Sequence, residues 1–217
     1  TWEIPTRTEN DGELILPDIA ESIKENNEKK SITTDDIEGI GMGVPGPVKD
    51  DGTVLKCVNL GWGVFNVEKA LSVICGGVKV KAGNDANVAA LGEMWQGGGK
   101  GYEDVVMITL GTGVGGGIIR GGKIVAGTNG AAGEIGHMPM IDDESECCGC
   151  GKKGCLEQYA SANGLVNVAE KYIAAHRTVE TELDLNAGFT AKDVCDAAKA
   201  GDKAGLAAVE ELSLIHI

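Results

Sequence analysis

Four cysteines crowd one short stretch: Cys147, Cys148, Cys150 and Cys155. The run from Cys148 to Cys155 spells C-x-C-x4-C, and His137 lies eleven residues upstream. Three thiolates and one imidazole make a closed tetrahedral set, which is the preference of structural Zn²⁺. No position is left open for water. Such an ion would pin two loops together, and its binding would be linked to folding. The interleaved glycines let the backbone wrap tightly. The plain alternative is a buried or reactive cysteine cluster. Cys147-x-x-Cys150 is also a usable spacing, so the choice between Cys147 and Cys148 stays open.

Carboxylates sit close to this group. Glu134 precedes His137 by three residues, and Glu157 follows Cys155 by two. Fixed carboxylates accept hydrogen bonds from sugar hydroxyls, and imidazole offers two nitrogens, one for metal and one for a hydroxyl. A lone Glu would read as a surface group, but two flanking one metal site weaken that reading. Asp85 sits at the expected end of a strand and start of a helix, where open α/β sheets place ligands. There it could take the proton of an attacking hydroxyl. It could equally only cap the helix, and position alone leaves both readings open.

The segment Leu110-Gly111-Thr112-Gly113-Val114-Gly115-Gly116-Gly117 joins two apolar runs. Its glycines let backbone N–H groups approach phosphate oxygens, and Thr112 adds a hydroxyl. Taken alone this signal is weak, because glycine-rich hairpins are common. The segment is neither a Walker loop nor a helix-opening dinucleotide fingerprint.

The elements that must carry these residues alternate between strand and helix. Ile15, Leu16, Ile19, Ala20 and Ile23 recur at helical spacing, up to a polar run from Lys24 to Lys30. Ile37 to Val44 reads as a buried strand that ends in the Pro45-Gly46-Pro47 turn. Asn66 is placed to cap a helix carrying Val67, Ala70, Leu71 and Ile74. Val78 to Ala82 reads as a strand, followed by Asn84-Asp85 and a helix from Ala86 to about Trp95. Gly97-Gly98-Gly99 reads as a hinge. Val105 to Leu110 is a continuous apolar run, as in a strand buried on both faces. Val114 to Arg120 is the next strand, and Gly121-Gly122 turns it into Lys123-Ile124-Val125. Leu165, Val168, Ala169 and Tyr172 mark a later helix, and Thr190 with Asp193 resembles a capping box.

Composition narrows the class. The chain has 217 residues, 42% hydrophobic, with 34 glycines, which suits an α/β protein rich in tight turns. The formal charge of −14 would repel nucleic acid and anionic membrane. No apolar stretch is long enough for a membrane span, and no export signal is evident, so the expected location is cytoplasmic. Cys57, Cys75 and Cys195 lie in apolar surroundings and read as small core residues. Crowded thiols in such a compartment point to metal rather than disulfides.

Together the motifs resemble one family. Asn84-Asp85-Ala86-Asn87, the Leu110–Gly117 segment, Gly133-Glu134-Ile135-Gly136-His137 and Cys148-x-Cys150-Gly151-x-x-Gly154-Cys155-Leu156-Glu157 occur in the order seen in ROK sugar kinases. The whole run is most similar to the glucokinases of Gram-positive bacteria within that family. The resemblance implies an α/β, two-lobed actin-like ATPase (ribonuclease H-like) fold. It implies ATP-dependent phosphorylation of glucose at the 6-hydroxyl, with Asp85 as general base. Gly46, Asn84, Asp85, Glu134, His137 and Glu157 would bind the sugar. Gly111, Thr112 and Gly113 would face the ATP phosphates, with Mg²⁺ neutralising their charge. His137, Cys148, Cys150 and Cys155 would hold a structural Zn²⁺. A homodimer or homotetramer is implied for the full-length protein.

The family pattern is expected to be incomplete here. The chain opens on Thr1, and the family's first phosphate loop would precede it. Residues 1–102 are expected to form the N-terminal α/β lobe without its first strands, and 103–211 an incomplete C-terminal lobe with the zinc site. Residues 212–217, Leu-Ser-Leu-Ile-His-Ile, read as translated sequencing adapter. A chain cut in this way is expected to fold poorly and phosphorylate little. Kinases for another hexose or an N-acetylhexosamine share the same site residues. A sugar-sensing repressor of the family is the non-enzymatic alternative.

Overall fold

In the computed structural model every residue is described except Lys56 and Ile217, with backbone alone at Val58 and at 214–216. The backbone gathers into two units, one of residues 1–105 and 117–132, the other of 106–116 and 133–217.

The first unit opens with a short turn, α1 (Glu9–Gly12), in which Asn10 and Asp11 adopt positive φ. Helix α2 (Ile15–Lys29) follows and buries Ile15 and Leu16, the apolar stripe expected from its spacing. Strand β1 (Ile40–Val44) is shorter than the expected 37–44. It is not buried throughout: Gly41 and Gly43 are exposed, because side-chain direction alternates along a strand. Strands β2 (Thr53–Val54) and β3 (Phe65–Asn66) form an antiparallel pair. Asn66 then caps α3 (Val67–Ile74), its side chain accepting from the Lys69 amide. Strand β4 (Val80–Asn84) returns parallel to β1, with Ile40 opposite Val80 and Val44 opposite Asn84. Val44, Val54, Val67 and Leu71 are wholly buried between these elements, and Cys57 joins them. Cys75 is only partly buried against the same core. Helix α4 (Asp85–Gln96) starts on the residue after β4 ends.

Strands β5 (Val105–Leu110), β6 (Val114–Arg120) and β7 (Lys123–Ile124) form one sheet in that order. Gly121 and Gly122, both at positive φ, make the expected hairpin turn. The expectation that β5 is buried on both faces is corrected. Val106, Ile108 and Leu110 are 66%, 57% and 56% exposed, while Val105, Met107 and Thr109 are half-buried. A continuous apolar run does not say which of its two faces is covered.

The second unit is mainly helical after its glycine-rich and cysteine-rich loops. It contains α5 (Glu157–Ala160), α6 (Ala162–Ala175), α7 (Ala191–Ala200) and α8 (Lys203–His216). Ser161 caps α6 through the Gly164 amide. The Thr190–Asp193 capping box opens α7, and Gly201, left-handed, closes it. Leu165, Ala169, Val194 and Ala208 centre the core of this unit, with Cys195 and Leu212 packed against its edge. The backbone of α8 continues into the 212–217 segment. The side chains at 214–216 and all of Ile217, on which most of the adapter reading falls, lie outside the described residues.

Candidate active site and metal centre

The chain's own hydrogen bonds bring the metal-type side chains together. Pro139 and Cys155 form an antiparallel bridge, Leu156 N–H donates to Met138 at 2.9 Å, and Met140 N–H donates to Gly154 at 2.7 Å. A side chain at Gly154 would begin 1.8 Å from the Ile141 carbonyl, so only glycine allows this approach. These bonds set His137 beside Cys155. A tight hairpin, with Cys148 N–H donating to Lys152 at 2.7 Å, brings Cys148 and Cys150 to the same place.

The ligand atoms of His137, Cys148, Cys150 and Cys155 all lie within 4.8 Å of one another. Cys150 Sγ is 3.7 Å from Cys155 Sγ, and Cys148 Sγ is 3.7 Å from His137 Nδ1. Two sulfurs bound tetrahedrally to one zinc at about 2.3 Å stand about 3.8 Å apart, so the spacing fits that ion. All the cysteines are free thiols. Of the adjacent pair, Cys148 is buried within the group and Cys147 is exposed outside it. Burial pushes the Cys148 thiol up.

His137 lies between the two carboxylates. Its Nε2 is 3.8 Å from Glu134 Oε2, and its Nδ1 is 3.4 Å from Glu157 Oε1. The Cys148 thiol also donates to Glu157 Oε1 at 2.9 Å. Glu134 immediately precedes a single 3-10 turn (Ile135–His137) that His137 ends, and Glu157 is the first residue of α5. All three side chains are partly exposed, so this is an accessible acceptor surface backed by the thiol group.

The Gly111-Thr112-Gly113 loop connects β5 to β6 in the same unit. Gly111 N–H turns inward to Gly113 O at 3.0 Å, and Gly111 O accepts from the Ala162 amide at 2.8 Å, which ties the loop to the start of α6. Thr112 is exposed at the tip.

Gly46, Asn84 and Asp85 belong to the first unit. Asn84 is the cap of α4: its Oδ1 accepts from Asn87 N–H at 3.1 Å and its Nδ2 donates to Gly46 O at 3.2 Å. The capping role left open for Asp85 is therefore taken by its neighbour. Asp85 is exposed, and its Oδ1 accepts from the Ala86 amide at 2.8 Å.

Several residues around these groups went unread in the sequence. Asn87 is 8% exposed, and its side-chain oxygen has no hydrogen-bond partner among the described residues. Glu144, Gln158 and Tyr159 hold the cysteine loop through contacts between residues far apart in the chain. The one available signal was the run of acidic residues before Cys147.

A glycine-rich strand turn, a thiol–imidazole group and paired carboxylates thus all belong to the second unit of an α/β chain. Residues 2–215 match the ROK family. A glucokinase of Halalkalibacterium halodurans is 42% identical over 215 residues, covering 98% of this chain and 65% of that protein. The crystal structure of a ROK family glucokinase from Streptomyces griseus, in complex with glucose and AMPPNP, superposes with a TM-score of 0.76. It is 33% identical, with 99% of this chain and 68% of that one covered. A putative xylose repressor of a Caldicellulosiruptor species is 40% identical over 138 residues, 63% of this chain and 34% of the repressor. The chain belongs to the ROK family, and its fold is the actin-like α/β fold of ROK sugar kinases. It spans less than two thirds of the length of either of these two sequence relatives.

Proposed function

We propose that the complete protein is an ATP-dependent glucokinase, which transfers the γ-phosphoryl group of MgATP to the 6-hydroxyl of glucose. The observation that carries this reading is His137 set between Glu134 and Glu157 on the thiol group. A neutral sugar presents several hydroxyls, and this arrangement offers fixed acceptors for them.

The sugar hydroxyl loses its proton as its oxygen takes the phosphoryl group, and ADP leaves. Asp85 is the base that receives that proton; its exposed carboxylate at the start of α4 is free to meet a hydroxyl. Glu134, His137 and Glu157 hold other hydroxyls of the ring. Asn84 acts through the turn at Gly46, to which it donates. Gly111, Thr112 and Gly113 lie against the ATP phosphates, where Mg²⁺ supplies charge neutralisation. His137, Cys148, Cys150 and Cys155 hold a Zn²⁺ whose contribution is structural. The protein acts in the cytoplasm as a homodimer or homotetramer.

The test is ATP-dependent phosphorylation of a hexose and N-acetylhexosamine panel by the protein of the whole reading frame, with Asp85→Asn beside it. The expected result is preference for glucose and a kcat about 10²–10⁴ lower in the variant. A different preferred sugar would keep the mechanism and change the substrate. The likeness to the xylose repressor favours one second reading, a sugar sensor. Sugar binding without turnover in the wild type would establish that reading instead.

A further inference from the structure

The loop between His137 and Cys148 is held in place from outside the metal group. Glu144, with a side chain only 8% exposed, accepts from the Tyr159 hydroxyl and from Lys171 Nζ at 3.1 Å. Its other oxygen accepts the Glu146 amide at 3.0 Å. Tyr159 is itself buried. Gln158, its neighbour on α5, grips both cysteine-bearing segments. Its Oε1 accepts from the Cys155 amide at 3.0 Å, and its Nε2 donates to the Glu146 carbonyl at 3.1 Å. Lys171 on α6 also pairs with the Glu146 carboxylate at 3.4 Å.

Three consecutive side chains of α5 thus do different work. Glu157 faces His137 and Cys148, Gln158 joins the two cysteine segments, and Tyr159 anchors the acidic loop. A loop with free ends would have to be ordered each time a metal bound, at a cost in chain entropy. Buried polar groups that are fully partnered fix one geometry, because every alternative leaves a donor or acceptor unsatisfied.

We propose that Gln158, Tyr159 and Glu144 are positioning residues for the metal group. They hold the Cys148 and Cys150 thiols opposite Cys155 and His137 in the absence of metal, and they slow its departure once bound. This rests on the zinc reading of the site and is independent of which sugar is phosphorylated.

The test loads the full-length protein with zinc and follows its release to an excess of a colorimetric chelator, with neither sugar nor ATP present. Tyr159→Phe keeps the ring and removes the hydroxyl. Gln158→Ala removes the grip on both segments. Each is expected to release zinc about tenfold faster or more, in the range typical of groups that orient metal ligands. Glu144→Gln keeps an acceptor for the Tyr159 hydroxyl and is expected to fall between wild type and Tyr159→Phe. Near-ultraviolet circular dichroism checks that each variant is folded, and where one is not, the other two decide. Wild-type release rates in the folded variants would overturn the proposal, since a merely packing role for Tyr159 survives its change to Phe. A wild-type protein that retains no stoichiometric zinc would overturn the metal reading, and the positioning role with it.

Discussion

A side chain at Gly113 would begin 2.7 Å from Oε2 of Glu157. The loop that the proposed mechanism lays against ATP phosphates therefore touches a carboxylate that it assigns to the sugar. The other oxygen of Glu157 is already engaged by Cys148 and by His137 Nδ1. The end of the Glu157 side chain thus lies between the loop and the thiol–imidazole group.

Gly113→Ala should consequently disturb sugar binding as well as nucleotide binding. The added methyl must displace the end of Glu157, which weakens a hydrogen bond to a sugar hydroxyl worth about 1 kcal/mol or more. Steady-state kinetics of the full-length protein should show KM for glucose raised about fivefold or more, alongside any change for ATP. A rise confined to the ATP KM would mean that Glu157 relaxes without consequence.

Metal should be stoichiometric and structural. Elemental analysis is expected to find one zinc per chain in the wild type and in Cys147→Ser, and none retained in Cys148→Ser or Cys150→Ser. Stripping with a chelator under reducing conditions should lower the melting temperature on the order of 5 °C or more, because binding free energy is folding free energy at such a site. Loss of zinc in Cys147→Ser with retention in Cys148→Ser would reverse the assignment of the adjacent thiols.

How legible these features were depends on how far apart their partners lie in the chain. The Asn66 cap and the Thr190–Asp193 box join groups three residues apart, so local chemistry is enough to find them. The cysteine group was legible because its spacing is short and its chemistry narrow. Which of Cys147 and Cys148 turns inward was not, since it depends on the hairpin that pairs Cys148 with Lys152. The exposed face of β5 was hidden by a run apolar at every position but one. Likewise position alone did not say which of the neighbours Asn84 and Asp85 caps α4, because either side chain can cap and only the fold shows that Asn84 does. The Glu144–Tyr159 contact spans fifteen residues, and the acidic run around Glu144 does not say which side chain it meets.

That contact also sets a pH dependence. The Tyr159 hydroxyl, the Glu146 amide and Lys171 together lower the Glu144 carboxyl from 4.5 to about 2. Lys171 and Glu146 are the nearby charged partners. A carboxyl with a lowered folded-state pKa binds fewer protons in the folded chain than in the unfolded one. Its stabilising contribution is therefore complete above about pH 4.5 and disappears as pH falls toward 2. The shift corresponds to roughly 3 kcal/mol at most. Denaturant unfolding of metal-stripped wild type and Glu144→Gln, compared at pH 6.5 and pH 3, isolates this group from the zinc ligands. The stability gap between the two proteins is expected to be wide at the higher pH and about half as large, or less, at the lower. An equal gap at both values would show that Glu144 contributes through neutral hydrogen bonding alone, and a wider gap at pH 3 would contradict the direction of the shift.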